Sequence, residues 1–186
     1  FTSQARELPN LMQGLAGTVK AVFGVKPHPD FTSLAEAPRT ILNVNVTPQR
    51  RVATQATSLE RLKAIGEAAG GSINDVVLAA SSGAMRRFLL ELGELPRKSL
   101  VTSIPVALPR DSNQAGGNAI SFANVRLGTD IEDVRERFDV IRRSSTAGRD
   151  FLKQMSTNAL LNYTVLISSP QILTRLPGVG ASVPPT

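Results

Sequence analysis

Apolar positions along this chain recur at helical spacing in some segments and alternate with polar positions in others. An apolar residue at every third or fourth position predicts a helix, and alternation predicts a strand. Helices are expected at residues 8–22, 57–69 and 72–92, from residue 129 onward, and at 151–176 with a break at Pro170. Strands are expected at residues 40–46, 51–57, 100–108 and 119–127. Because helices and strands alternate, the pattern is typical of an α/β or α+β protein, and we expect the α/β class.

The segment 72–92 has the strongest helical pattern. Ser72 is a suitable N-cap, and Asp75 complements the positive end of the helix. The first half has almost no polar face, which predicts a helix buried on all sides in a large core. Asn74 and Asp75 therefore place polar groups where they must be bonded. Asn74 is not needed for capping once Ser72 and Asp75 cap the helix, so it is open to a structural or a functional interpretation.

Two other helices have predicted caps and faces. Thr57 with Glu60, and Thr129 with Glu132, have the spacing of capping boxes. The inward residues of the first helix are expected to be Leu59, Leu62 and Ile65. Those of the second are expected to be Ile131, Val134, Phe138 and Ile141, and its outer face is expected to hold Arg135, Arg137, Arg142 and Arg143.

Composition excludes several classes of protein. The 186 residues are 41% hydrophobic and 19% charged, which excludes a disordered chain and a coiled coil. There is no Cys and one His, so disulfides, thiolate zinc sites and sites that need two histidines are excluded. His28 lies between two prolines and is interpreted as an exposed loop residue. No apolar stretch reaches the length of about 18 residues that predicts a membrane span, and no signal peptide is visible.

The positive charge of the chain predicts an anionic partner. Lys and Arg number 21 against 15 acidic residues, a net charge of +6, which suits nucleic acid, an anionic membrane or a phosphorylated small molecule. Dispersed basic residues and few aromatics argue against nucleic acid. A solvated basic surface is the alternative. The candidate clusters are Arg50-Arg51, Arg86-Arg87 and Arg142-Arg143, and the predicted strand at 51–57 favours the first because alternation turns one side chain inward.

The chain has no visible catalytic base. It lacks a nucleophile elbow, a phosphate-binding loop and any relay that could be built around His28. Residues 81–83, Ser-Ser-Gly, lie inside a predicted helix and are interpreted as a site of close helix packing. No metal site is expected.

Several motifs resemble, in order and spacing, the bacterial wax ester synthase/diacylglycerol acyltransferase family. The resemblance extends from about residue 38 to residue 148. Its longer motifs are Pro-Arg-Thr-Ile-Leu-Asn at 38–43, Pro-Gln-Arg-Arg-Val-Ala at 48–53, Ser-Ile-Asn-Asp-Val-Val-Leu-Ala at 72–79 and Gly-Ala-Met-Arg-Arg-Phe-Leu at 83–89. Shorter ones follow at 94–96, 104–106 and 117–118.

The resemblance implies a fold similar to chloramphenicol acetyltransferase, a CoA-dependent acyltransferase with two related α/β domains, each a mixed sheet packed with helices. The active site lies between the domains. The family's base is the second His of a His-His-x-x-x-Asp-Gly motif in the N-terminal domain, and this motif is absent here, as is the family's later Asn-Val-Pro motif. Residues 1–37 are then an interdomain linker helix and loop, and 38–186 are most of the C-terminal domain. The chain is interpreted as a proteolytic product, half of a split chain or part of a longer one.

The implied activity is transfer of a fatty acyl group from acyl-CoA to a long-chain alcohol or to diacylglycerol, with acyl-CoA as co-substrate and no other cofactor. Within it, we expect Asn74 to donate to an oxyanion. Asp75 and Ser72 are expected to be structural, and Arg50 and Arg51 to bind CoA phosphates. The implied partner is the N-terminal domain of the same enzyme.

A lipid surface is a further expected partner, because the implied acceptors do not dissolve in water. The stripe over 8–22, with Lys20 and Lys26 near one end, suits an interfacial helix, or else it packs on the domain. We expect a cytoplasmic protein that can lie peripherally at the inner membrane or at lipid inclusions. The alternatives are a non-enzymatic basic α/β module that docks an anionic partner or a membrane face, and an assembly domain. A gene that extends upstream through the His-His motif would favour the enzyme.

Overall fold

A computed structural model describes residues 28–44, 47–107 and 120–155, together with residues 160, 163 and 164. Its elements in chain order are two short 3₁₀ helices at Leu34–Glu36 and Ile41–Asn43, helix α1 at Leu59–Ala68, helix α2 at Ile73–Glu91, strand β1 at Val101–Ala107, strand β2 at Ile120–Arg126 and helix α3 at Val134–Lys153. The predicted helix at 8–22 and most of the one at 151–176 lie outside the described residues; Phe151 belongs to the end of α3.

The two strands form an antiparallel pair, with Val101 opposite Arg126 and Ala107 opposite Ile120. Helix α3 packs on β2, α2 packs on α3, and α1 packs on α2. Helices packed on a sheet are consistent with the expected α/β class. The core lies where these elements meet and consists of Leu78, Leu89, Leu100, Ile104, Ala123, Val125, Leu127, Ile141, Leu152, Leu160 and Tyr163.

Helix α3 approaches β2 closely because it has a glycine at the contact. A Cβ atom at Gly148 would lie 3.1 Å from Cβ of Ala123. A larger side chain at residue 148 would therefore push the helix away from the strand, since interiors are close-packed. This contact fixes α3 on the sheet, and α3 in turn supports the start of α2.

Two predicted strands are wrong. Residues 41–43 form a 3₁₀ helix because Thr40 Oγ1 accepts from Leu42 N and Asn43 Oδ1 accepts from Thr40 N at 2.9 Å, a capping box. Residues 51–58 have no regular secondary structure and are exposed, no described strand pairs with them, and Val52 is 88% exposed. Alternation alone does not make a strand, because the backbone groups of a strand need a partner.

Two predicted caps are also wrong. Helix α1 begins after Ser58, whose Oγ accepts from Arg61 N at 3.2 Å, and not after Thr57. Helix α3 begins after Asp133, which accepts from Glu136 N at 2.8 Å. Thr129 is buried instead and its Oγ1 accepts from Leu100 N at 2.9 Å, so its hydroxyl ties β1 to the turn that precedes α3.

The burial predictions hold for part of each helix. Phe138 and Ile141 of α3 are buried as predicted, whereas Val134 is exposed and Ile131 half-buried. Arg137, predicted on the outer face, is buried instead. Its burial is possible because its Nη1 donates to the carbonyls of Ile131 at 2.8 Å and Glu132 at 3.2 Å. Leu59 and Ile65 of α1, predicted inward, are exposed.

Helix α2 is not buried on all sides. Its Asp75, Val76, Leu78, Ser82 and Leu89 face the core, and Ser82 Oγ donates to the carbonyl of Leu127 at 2.6 Å. Val77 and Phe88 on the opposite side are each 46% exposed. A helix that is apolar all round therefore has one covered face and one open face here.

Residues 28–37 contact α3. Phe31 is buried and its ring lies 4.7 Å from the ring of Phe151, and the hydroxyls of Thr32 and Ser144 are 2.9 Å apart. His28 is exposed, as predicted. The domain boundary at residues 37/38 stays a prediction.

Candidate functional site

The candidate site is built on the first turn of α2. Asn74 lies in this turn and is exposed, and in the part of the chain that the structure describes its amide has no hydrogen-bond partner. The peptide dipoles of the helix give this end a partial positive charge. The amide N–H₂ group is therefore available to an external acceptor, at a place that favours negative charge.

Asp75 and Ser72 hold the turn together in a capping box. Asp75 Oδ2 accepts from Ser72 N at 2.9 Å and from Ser72 Oγ at 2.7 Å, and Ser72 Oγ accepts from Asp75 N at 3.3 Å. The Asp75 side chain is 1% exposed. It points into the protein while that of its neighbour Asn74 points to solvent, because consecutive residues of a helix are about 100° apart.

Helix α3 contacts the same turn at two places. Ser145 Oγ, fully buried, donates to Asp75 Oδ1 at 2.9 Å. Seven residues earlier, the Phe138 ring packs so tightly on the backbone of Gly71 that a Cβ atom there would lie 2.7 Å from Phe138 Cζ. The start of α2 is thus fixed by one hydrogen bond and one close packing contact.

An apolar stripe, which we call the open stripe, continues from Asn74 along the exposed side of α2. Its members, at helical spacing, are Val77, Ala80, Ser81, Ala84 and Phe88; Ala80, Ser81 and Ala84 are exposed like the other two. Arg87 and Glu91 lie beside its far end, 2.8 Å apart, and this hydrogen bond raises the pKa of Arg87. The open stripe therefore places an apolar surface next to the Asn74 amide, which has no partner among the described residues.

Arg50 and Arg51 lie in the irregular segment before α1. Both are exposed, so the predicted inward turn of one of them is wrong; the segment is not a strand. Arg50 Nη1 donates to the carbonyls of Thr47 and of Gln49, the latter at 2.8 Å. The Arg51 guanidinium has no hydrogen-bond or ion-pair partner among residues 28–44, 47–107 and 120–155. No bond between described residues joins either arginine to Asn74.

The other two arginine pairs already have partners. Arg86 Nη1 donates to the carbonyl of Thr129 at 2.7 Å, and Arg87 pairs with Glu91. Arg142 lies 3.7 Å from Asp139, and Arg143 lies 3.3 Å from Asp30. To bind at these arginines, a phosphate group would have to compete with the carboxylates and carbonyls. At Arg51 there is no such competitor among the described residues.

Three surface cavities lie elsewhere among the described residues, with volumes of about 330, 330 and 200 Å³. One is lined by residues that include His28, Arg142 and Arg143, and another lies between the first 3₁₀ helix and β1. None of the three is lined by Asn74, Arg50 or Arg51. Among the described residues, the candidate site is an exposed surface outside these three cavities.

Ser145 is the residue of this site that sequence reasoning missed. It is separated from Asp75 by 70 positions, so no local pattern connects them. One signal was present: Ser145 lies seven residues after Phe138 and four after Ile141, which places it on the predicted inward face of the helix. A polar residue on a buried apolar face needs a hydrogen-bond partner. Asp75, the other polar residue expected in the core, is a candidate for that partner.

Within the described ranges, no helix is both long enough and apolar enough to cross a bilayer.

Known proteins are similar to this chain in sequence and in fold. A sequence model of the wax ester synthase/diacylglycerol acyltransferase catalytic domain matches residues 1–77. The solved structure of the wax ester synthase/diacylglycerol acyltransferase from Marinobacter aquaeolei VT8 superposes with a TM-score of 0.64 at 29% identity, over 92% of this chain and 36% of that one.

Relatives by sequence have names of the same kind. A protein of Mycobacterium tuberculosis named as a diacylglycerol O-acyltransferase is 42% identical over 77% of this chain and 30% of its own length. The O-acyltransferase WSD of Acinetobacter baylyi is 34% identical over 95% of this chain and 38% of its own length. The chain thus spans well under half the length of these relatives. It belongs to the wax ester synthase/diacylglycerol acyltransferase family.

Proposed function

We propose that the protein of which this chain is a part transfers a fatty acyl group from acyl-CoA to a long-chain alcohol or to diacylglycerol. The observation that carries the proposal is the similarity of nearly the whole chain, in sequence and in fold, to members of this acyltransferase family. The names of these relatives favour an enzyme over a basic binding module. No feature of the described residues favours the module or an assembly domain specifically.

Asn74 fits one step of this reaction. The hydroxyl oxygen of the acceptor attacks the thioester carbonyl and loses its proton to a base, and the carbonyl oxygen becomes an oxyanion. When the intermediate collapses, the C–S bond breaks and the proton goes to the sulfur of CoA. An amide N–H placed in advance at the positive end of a helix stabilises the oxyanion without carrying a charge of its own. Asn74 supplies such a donor, and it is exposed and has no partner among the described residues.

This chain offers no His for the base other than His28, which is exposed. The family resemblance assigns the base to the second His of the His-His-x-x-x-Asp-Gly motif in an N-terminal domain. In a chloramphenicol acetyltransferase-like arrangement, that domain faces this one across the active site. The open stripe beside Asn74 supports this arrangement, because exposed apolar surface of this kind is usually covered by a partner.

Arg51, with Arg50 beside it, is proposed to bind the phosphates of CoA. Guanidinium groups match phosphate geometry with two parallel hydrogen bonds. Of the three arginine pairs, only this one includes a guanidinium that lacks a partner among the described residues. Contact with a lipid surface, through which a water-insoluble acceptor would arrive, belongs to the same proposal, as does a cytoplasmic location.

Thiol release by the intact protein tests the proposal. The protein is mixed with palmitoyl-CoA and hexadecanol or diolein, CoA thiol is titrated colorimetrically, and the ester is identified by mass spectrometry. Asn74→Ala is expected to lower kcat by about 10²–10³, as removal of one oxyanion donor does. Lys63→Ala, an exposed polar position on α1 outside the open stripe, is the control and should keep the wild-type kcat. Absence of ester with every acceptor would refute the activity, and full turnover of Asn74→Ala would refute the role of Asn74.

A further inference from the structure

We propose that Ser145 is a positioning residue, which holds Asn74 in place for the reaction by tethering Asp75 to α3. The inference rests on the proposed function, because it concerns how Asn74 is held. It assigns a catalytic consequence to a buried side chain that lies on another element and does not touch the substrate.

The two oxygens of the Asp75 carboxylate have separate tasks. Oδ2 accepts both hydrogen bonds of the cap, from Ser72 N and Ser72 Oγ. Oδ1 accepts from Ser145 Oγ at 2.9 Å. A capping box is complete without this last bond, since it needs only the reciprocal contacts within the first turn. The bond to Ser145 therefore does something other than cap the helix.

That bond connects α3 to the residue next to Asn74. Asp75 and Ser145 are 1% and 0% exposed, so water cannot replace the lost partner without rearrangement. Because Asp75 directly follows Asn74 in the chain, a shift of Asp75 shifts the Asn74 backbone with it. In a preorganised site, misplacement by about 1 Å can cost about 10²-fold in rate.

The packing of α3 makes it a rigid support. Its Gly148 lies against Ala123 of β2, and its Phe138 lies against Gly71, just before the cap of α2. On the opposite side of the first turn, Asn74 is open to solvent. Among the described residues, the first turn of α2 is thus held from the α3 side, by Phe138 before the cap and by Ser145 at Asp75.

Ser144 provides a matched control for Ser145. It is the adjacent serine, it is 2% exposed, and its Oγ accepts from Arg126 N at 3.0 Å and lies 2.9 Å from Thr32 Oγ1. Replacing it with Ala removes a buried hydroxyl and its hydrogen bonds, but none to Asp75. Comparison with Ser144→Ala therefore separates an effect on folding stability from an effect on the position of Asn74.

The experiment compares Ser145→Ala and Ser144→Ala in the intact enzyme, each with and without Asn74→Ala. Ser145→Ala is expected to lower kcat by about 10- to 100-fold with KM changed less than twofold. Ser144→Ala is expected to lower Tm with kcat unchanged. In the Asn74→Ala background, Ser145→Ala should cause no further loss of kcat. Equal kcat losses in the two serine variants, or a Ser145→Ala effect that persists in full without Asn74, would overturn the proposal.

Two further measurements keep the test decisive. If Ser145→Ala does not fold, Ser145→Cys retains the shape with a weaker donor and should show an intermediate loss of kcat; a wild-type kcat would overturn the proposal. If the intact protein forms no ester, the proposed function fails, and amide hydrogen exchange then tests the tether alone. Exchange at residues 73–76 should speed up in Ser145→Ala and not in Ser144→Ala, and unchanged exchange would overturn the tether.

Discussion

Asn74 and Asp75 are adjacent polar residues with opposite surroundings. The Asp75 carboxylate is buried and accepts from two serines, whereas the Asn74 amide is exposed and unpaired in the described structure. A buried polar group must be bonded inside the protein, and an exposed one does not need to be. Their substitutions should therefore affect different measured quantities.

Asp75→Ala is expected to destabilise the fold. It removes a buried acceptor and leaves the Ser145 hydroxyl, which is fully buried, without its partner. A buried donor left without a partner costs about 1–3 kcal/mol, so the free energy of unfolding should fall by at least that amount. Urea denaturation of the intact protein measures it. Asn74→Ala is the control and should change stability by less than about 0.5 kcal/mol; an equal loss in both variants would contradict the assignment.

Tyr163 gives the fold a dependence on alkaline pH. It is 2% exposed, its ring centroid lies 5.8 Å from that of Phe151, and burial raises its pKa from 10.0 to about 12. The folded state therefore holds the proton more tightly than the unfolded state does. The corresponding stability is fully present below pH 10 and is lost as pH rises through about 12.

The stability lost over this range should be about 2–3 kcal/mol, since one pKa unit corresponds to about 1.4 kcal/mol. Urea midpoints of the wild type and Tyr163→Phe, measured between pH 9 and 12, test this. The difference in stability between the two proteins should shift toward the variant as pH rises, because lysine titration is common to both. A difference that stays constant with pH would contradict a buried, neutral Tyr163.

At the scale of elements, α2 has one face that packs on the core and one face that is exposed. Ser82 on its inner face donates to the carbonyl of Leu127, while Val77 and Phe88 of the open stripe are nearly half exposed. Large contiguous apolar patches on a surface often mark sites of interaction with another body. The inner face of α2 is covered by described residues, and the open stripe is not covered to the same extent.

The 186-residue chain alone should expose the open stripe. It is expected to bind the dye ANS and to aggregate, because exposed apolar surface drives association. Val77→Ser with Phe88→Ser should reduce dye fluorescence more than Leu59→Ser with Ile65→Ser, the matched control on α1, whose two residues are also exposed. A soluble chain that binds no dye, or equal reductions in the two double variants, would contradict a special role for this face.

At the scale of the whole molecule, the net charge of +6 is spread over many arginines, most of which the described structure pairs. Net charge attracts an anion from a distance and makes the attraction sensitive to salt, whereas a specific contact needs an unpaired group. Among the described residues the Arg51 guanidinium has no ion-pair partner, whereas Arg142 and Arg143 form ion pairs with Asp139 and Asp30. The two contributions can therefore be separated by mutation.

Replacing Arg50 and Arg51 with Gln in the intact enzyme should raise KM for acyl-CoA severalfold, and the rise should shrink as salt is added, because screening weakens the lost attraction. Arg142→Gln with Arg143→Gln removes the same net charge and serves as the control, with KM changed less than twofold. Steady-state kinetics at 50 and 500 mM NaCl provide the measurement. Equal KM increases in both double variants would assign the effect to net charge alone.

Local signals predicted some features of this molecule well. Ser72 and Asp75 predict the start of α2 because a cap involves neighbours in sequence, and the strands predicted at 100–108 and 119–127 are present as β1 and β2, without Leu100 and Leu127. The alternation at 51–57 failed because pairing is a long-range property, and Arg137 was misplaced because its acceptors are carbonyls rather than side chains. The tether between Ser145 and Asp75 crosses 70 positions and could not be read from either segment alone.

The two faces of α2 should be under different evolutionary constraints. A change at Ser82 or Leu78 must be accommodated by residues of this chain, such as Leu127, and should be matched by compensating changes among them. A change at Val77 or Ala84 meets no such partner among the described residues. Across aligned family members, inner-face positions should covary with positions in 100–152, while open-stripe positions should covary with positions outside this chain. The two faces of one helix would then have evolved with two different sets of residues, one within this chain and one outside it.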